Sequence, residues 1–208
     1  MKKKQALLAI DLQYDFLPGG SLAVNQGDQI IPIVNKLLKK FDFIVFTQDF
    51  HPSNHISFAS QHPEKSVFEE IQLNGQKQML WPDHCVQNTH GAEIHADVMF
   101  NQIKGSFYIF KKGMDRNVDS YSAFFDNDHQ SSTGLAEFLK QKKISEVFLC
   151  GLATDFCVAW SAEDAVIQGF NTNIIIDACR GINSLEQITN LLNRLKKEGI
   201  KIITSKEI

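Results

Sequence analysis

The chain has no apolar run long enough to cross a bilayer, which takes about 20 consecutive apolar residues. Met1-Lys-Lys-Lys-Gln5 resembles the charged start of a secretory signal, but Asp11 cuts short the apolar stretch behind it, so neither a signal segment nor a membrane anchor is predicted. There is no long basic block either. The 21 lysines and arginines are mixed with 24 aspartates and glutamates, which removes the electrostatic footprint of a nucleic-acid binder. Cysteine is sparse: Cys85, Cys150, Cys157 and Cys179 make neither a CxxC metal pair nor a framework dense enough for a secreted disulfide scaffold. A reduced, cytoplasmic protein is the expectation. Gly19-Gly20 is not a phosphate-cradling loop and Gly151-Leu-Ala-Thr154 is not a dinucleotide fingerprint, so nucleotides are not the expected ligands. Internal repeats and low-complexity tails are missing too.

What is present fits one domain over residues 1–208, with 43% hydrophobic content to fill its core and small solutes as ligands. Short apolar runs at 6–10, 43–47, 107–110, 147–150, 172–176 and 200–203 read as strands, the continuous run at 6–10 as one covered on both faces. Helical spacing of apolar residues follows at 30–38, 135–139, 156–168 and 185–197. Strands alternating with helices predict an α/β fold, a mostly parallel central sheet of about six strands with helices on both faces. The segment from Pro52 to about Gly105 is too long for an ordinary connection and is expected to build a site. Within it, the Ala92-Glu-Ile-His-Ala96 pattern is read as a helix surface carrying His95.

In parallel sheets ligands gather at the carboxyl ends of the strands, where Asp11, Asp49, Lys112 and Cys157 fall. Cys157 follows an apolar strand and a tight turn at the start of a helix. Unpaired N–H groups there favour thiolate, and Thr154 is placed to cap the helix. Taken alone, Cys157 is more simply a buried core cysteine. Asp11 closes an apolar strand, where a carboxylate is costly unless paired, and could equally satisfy the next turn. Lys111 and Lys112 point to opposite sides, and alternation does not say which one faces inward. Asp49, His51, His55 and His84 are oxygen and imidazole types suited to a divalent ion. Phe16, Trp81 and Tyr121 could wall a flat ring or simply fill the core. Asp15, His62 and His129 are given local, polar roles, and Cys150 and Cys179 structural ones.

Several stretches together resemble the nicotinamidase branch of the isochorismatase-like cysteine hydrolases. They are Ile10-Asp-Leu-Gln-Tyr-Asp-Phe16 with Pro18-Gly-Gly-Ser-Leu-Ala-Val24, Thr47-Gln-Asp-Phe-His-Pro52, Trp81-Pro-Asp-His-Cys-Val86, Lys112-Gly113, and Gly151-Leu-Ala-Thr-Asp-Phe-Cys-Val158 followed by Ala162-Glu-Asp-Ala165. The resemblance implies Asp11 as general base, Lys112 as the triad lysine and Cys157 as nucleophile. It implies an oxyanion hole from the backbone N–H groups of Ala153 and Cys157, with a cis peptide before Ala153. It places a divalent ion (zinc first, manganese or iron as alternatives) on Asp49, His51 and His84, with His55 a further ligand in some members. Phe16, Trp81 and Tyr121 become ring contacts. The implied reaction is deamidation of nicotinamide to nicotinate and ammonia through a thioester, extending to pyrazinamide, and serving NAD salvage. Competing readings are an amidase for another heteroaromatic carboxamide, an isochorismatase-type hydrolase, and a metal-stabilised interaction module without catalysis. Oligomeric state is left open.

Overall fold

The computed structural model describes residues 4–73 and 75–208; Met1, Lys2 and Lys3 of the basic start, and Asn74, lie outside the described residues. Six parallel strands form the central sheet: β1 (Gln5–Ile10), β2 (Phe43–Asp49), β5 (Ser106–Lys112), β6 (Glu146–Leu152), β7 (Asn171–Arg180) and β8 (Lys201–Ile203). Helices α1 (Ile31–Leu38), α2 (Leu135–Gln141), α3 (Ala159–Ile167) and α4 (Leu185–Lys197) connect and flank it. This is the α/β architecture expected. The central strands carry no polar–apolar alternation because both faces are covered: Ala6 to Ile10 are fully buried, as are Val147, Leu149 and Cys150 in β6.

Strand order is β5-β2-β1-β6-β7-β8. The chain winds outward from β1 in one direction and from β6 in the other, so the order reverses between these two central neighbours. Their connections leave from opposite faces, opening a crevice at the carboxyl ends. Asp11 follows β1, Cys157 follows β6, and Asp49 and Lys112 end β2 and β5. Ile10 pairs with Gly151 across the β1–β6 seam. A Cβ on Gly151 would stand 2.0 Å from the Ile10 carbonyl oxygen, and its φ of +121° suits glycine alone. The absent side chain lets the two site-bearing strand ends close on each other.

Residues 52–105 differ from an irregular loop in one respect. They include an antiparallel hairpin, β3 (Glu70–Leu73) with β4 (Gln76–Met79), apart from the main sheet. Its strands are short and polar and carry little strand signal. The expected helix around His95 does not form; instead Ile94 makes an isolated bridge to Gln13, and the His95 ring packs on Tyr14 with centroids 4.4 Å apart. Tertiary packing overrides a local helical pattern too short to nucleate by itself.

Candidate active site

Asp11 is fully buried at φ +48°, a left-handed turn that an aspartate tolerates and that aims its carboxylate into the crevice. Thr47 fixes it from β2: the Thr47 hydroxyl donates to Asp11 Oδ1 at 2.5 Å, and the Asp11 N–H donates to Thr47 Oγ1 at 3.1 Å. Asp11 Oδ2 is ion-paired with Lys112 Nζ at 3.0 Å. Asp11, Asp49 and Cys157 each bring an atom within 4.8 Å of the others.

Lys112 is the inward lysine. It is buried, whereas Lys111 lies outside over the Phe50 ring. Lys112 Nζ reaches Asp49 Oδ1 at 2.5 Å, the Ser120 carbonyl at 2.9 Å and Cys157 Sγ at 3.5 Å. Burial alone would lower its pKa, but the charges of Asp11 and Asp49 outweigh that and push it well above the usual lysine range. Asp11 is raised by burial and by Asp49, against the pull of Lys112 and Thr47. Burial would raise Asp49 too, but Lys112 and the two histidines hold it well below the usual carboxylate range.

Cys157 departs from the sequence expectation. Its thiol is pushed well above the usual range, first by burial and then by Asp11 and Asp49, with Lys112 the opposing influence. Two neighbouring carboxylates and the loss of water outweigh the helix end. The resting group is a thiol poised beside a base, not a preformed thiolate. Nor does Thr154 cap a helix: Thr154–Val158 form a π-helical turn led by Ala153 with no side-chain cap, and α3 begins only at Ala159. Such wide turns cluster at functional sites. The Leu152–Ala153 peptide is cis, as the resemblance implied.

Beside these groups stands a histidine–carboxylate cradle. His51 Nδ1–H donates to the Gly113 carbonyl at 2.8 Å, and His84 Nδ1–H to the Pro82 carbonyl at 2.8 Å. Both rings therefore turn Nε2 toward Asp49 Oδ2, at 3.7 and 3.9 Å. Carbonyls behind metal-binding imidazoles fix the tautomer in this way, so the donor set fits a divalent ion on Asp49, His51 and His84. Burial and a charge on the neighbouring His51 lower His84 to about 4, while Asp49, against burial, raises His51, so a cation entering the cradle would displace the proton that His51 holds toward Asp49. Mixed oxygen and imidazole donors accept zinc, manganese or iron. His55 stacks on His51 with centroids 4.2 Å apart, but its Nδ1 meets Ser57 Oγ at 2.7 Å and its Nε2 the Val118 carbonyl at 3.2 Å. It groups with His51 and Asp119, away from His84.

A narrow cavity of about 20 Å³ joins the two clusters, lined by Phe16, Trp81, Tyr121, Ala153 and Cys157 together with Asp49 and His84. Leu22, Asp119, Phe156 and Ile182 also line it and were missed in the sequence, where single apolar residues and a lone carboxylate between motifs carry no signal. Thr47 and Gln13 were missed as well. Gln13 is fully buried, accepts from the Asp49 N–H at 2.8 Å and donates to the Asp49 carbonyl at 2.8 Å. An uncharged residue inside an apolar strand environment was the available clue. Asp15 reaches much further than its own turn, accepting from the Cys85 N–H at 2.7 Å and so bracing the loop that carries His84.

An α/β sheet that gathers a thiol, a carboxylate and an ammonium at its switch point, against a metal cradle, defines a metal-associated hydrolase. The chain belongs to the isochorismatase family, whose domain matches residues 5–207. It is similar to the nicotinamidase of Acinetobacter baylyi, 48% identical over 203 residues that cover 98% of this chain and 94% of that protein. Its fold is similar to the nicotinamidase/pyrazinamidase structure from Acinetobacter baumanii, with a TM-score of 0.94, 45% identity and coverage of 100% and 99%. A pyrazinamidase structure from Pyrococcus horikoshii in complex with zinc is also similar, with a TM-score of 0.77, 35% identity and coverage of 97% and 99%.

Proposed function

We propose that this single domain is a metal-dependent nicotinamidase, hydrolysing nicotinamide to nicotinate and ammonia, and pyrazinamide likewise. The observation that carries this is the meeting of Cys157, Asp11 and Lys112 with the Asp49–His51–His84 cradle around one small, aromatic-walled cavity. The likeness to nicotinamidases over almost the whole chain supports it. A divalent ion held by Asp49, His51 and His84 would supply a Lewis-acid contact for a ring nitrogen and so fix the substrate's orientation. Phe16, Trp81 and Tyr121 hold the ring.

Cys157 Sγ attacks the carboxamide carbon while the neighbouring Asp11 carboxylate takes the thiol proton. The N–H groups of Ala153 and Cys157 stabilise the oxyanion. Asp11 passes its proton to the departing nitrogen, which leaves as ammonia, and a thioester remains on Cys157. Asp11 then deprotonates a water that attacks the thioester, the C–S bond breaks to release nicotinate, and the departing Cys157 sulfur takes the proton back from Asp11. Lys112 keeps the neighbouring carboxylates and the sulfur in register throughout. The reaction would serve nicotinamide recycling toward NAD, and a cytoplasmic location belongs to this proposal. Among the described residues no helix is long and apolar enough to span a membrane.

An ammonia-release assay tests the reading. The metal-loaded protein should turn over nicotinamide and pyrazinamide, Cys157→Ala should lose at least about a thousandfold in kcat, and benzamide, lacking the ring nitrogen, should be a poor substrate. Undiminished turnover by Cys157→Ala would remove the nucleophile. Equal turnover of benzamide would remove the ring-orienting role of the metal.

A further inference from the structure

We infer that Gln78, on the hairpin outside the main sheet, is a positioning residue for the aromatic wall of the pocket. The inference rests on the deamidase reading for its substrate alone; the geometry is independent of it. Gln78 is buried, although the rest of β4 is polar and mostly exposed. Its Nε2 stands 2.8 Å from the Met79 carbonyl, 2.9 Å from Asp119 Oδ2 and 3.3 Å from the Tyr121 hydroxyl. An amide nitrogen has two hydrogens, so the two shorter contacts take them and the third is a close approach behind the phenol.

Tyr121 is held at both ends by other groups. Its hydroxyl accepts from Trp81 Nε1–H at 3.1 Å, and its N–H donates to Asn127 Oδ1 at 2.8 Å. Trp81 and Tyr121 meet edge to face with centroids 6.2 Å apart, and both stand edge-on to Phe156, at 4.9 and 5.5 Å. These three rings form one wall of the cavity. Edge-to-face packing by itself is weak and tolerates tilting. The polar groups behind the wall, Trp81 to Tyr121 and Gln78 to Asp119, convert it into a defined surface.

Asp119 makes Gln78 hard to replace. It is buried, lines the same cavity, and accepts from only two protein donors among the described residues: Gln78 Nε2 and the Ser120 N–H at 2.8 Å. Remove the amide and a desolvated carboxylate loses half its donors. It must then turn toward another donor, either the imidazoles of His51 and His55 that it already faces or the Tyr121 hydroxyl that stands beside the same amide. The wall moves with it. A shifted wall weakens the hold on a planar ring while Cys157, Asp11 and Lys112, anchored on β6, β1 and β5, stay in place. Loss of Gln78 therefore acts on binding of the ring ahead of the bond-breaking steps.

The test pairs kinetics with a local reporter. Gln78→Met removes both polar groups at similar volume, and Gln78→Glu keeps the size while setting a second carboxylate against Asp119. For each, nicotinamide KM and kcat are measured on the metal-loaded protein, together with acrylamide quenching of tryptophan in a Trp160→Phe background, which leaves Trp81 as the sole indole. The expected result is a KM raised about tenfold with kcat held within about threefold, a larger KM effect for Gln78→Glu, and stronger quenching of Trp81 in both. Unchanged KM and quenching in a folded variant would overturn the inference. So would a fall in kcat at constant KM, which would place Gln78 in the chemistry. If one variant does not fold, the other carries the same comparison. Should the parent protein release no ammonia from nicotinamide, the deamidase reading fails by itself, and the quenching comparison still decides whether Gln78 holds the wall.

Discussion

Behind His51 sits a residue that has to be small. A Cβ on Gly113 would lie 2.3 Å from His51 Cε1, and the backbone there has a φ of +62°. The same residue's carbonyl accepts the His51 Nδ1–H, so Gly113 both orients the ring and makes room for it. Gly113→Ala should push the imidazole out of the cradle and weaken metal binding by at least about tenfold, read by metal content after dialysis. Asp126 offers a pH test away from the cradle. Burial, opposed by the Ser120 side chain and reinforced by Asp128 and Asp115, raises its carboxyl to about 6 from 3.8. The folded state holds this proton more tightly than the unfolded chain does. That contribution is fully present below pH 3.8 and is lost as pH rises through 6. Asp126→Asn should therefore raise the melting temperature above pH 6 and match the parent below about pH 4, as thermal denaturation across pH would show. Cys157, Asp11 and Lys112 were legible as residue types at strand ends. Their protonation was not, because burial beside two carboxylates reverses what a helix end by itself would do to Cys157.

At the scale of elements, the strands were legible because five of the six carry continuous apolar runs, and the helices because apolar residues recur with the helical period. Their ends were less so. The turn that carries Cys157 is π-helical, a distinction of one hydrogen-bond step that residue type does not encode. The β3–β4 hairpin escaped because its strands lean on neighbours and not on their own pattern. Helix α4 is the element whose sequence signals are clearest: Ser184 accepts from the Gln187 N–H, and the Gln187 side chain accepts from the Ser184 N–H. Lys196 and Lys197 stand in its last turn, where the helix dipole favours positive charge. Ser184→Ala should cost about 1 kcal/mol by urea unfolding without changing nicotinamide turnover, since α4 brings no side chain to the cavity.

For the whole molecule, the governing feature is where β1 and β6 lie side by side. Residues far apart in the chain, Asp11, Asp49, Lys112 and Cys157, become neighbours only because strand order reverses at that seam. Metal is expected to tie the arrangement further, since its ligands come from β2 and from the loop braced by Asp15. Chelation should abolish nicotinamide turnover, and zinc, manganese or iron should restore it. Metal at a hundredfold excess over its Kd should also stabilise the fold by about 2.7 kcal/mol, seen as a rise in melting temperature. Sequence by itself determined the layers, the strand-end chemistry and the family likeness, since each is written in local pattern and residue type. Only the tertiary structure decided how Lys112, which the resemblance had singled out, meets Asp11 and Asp49, that the carbonyls of Gly113 and Pro82 turn both histidines toward Asp49, and that Gln78 and Thr47 stand behind the site. Those outcomes depend on which groups lose water together, and a linear chain does not specify that until it has closed on itself.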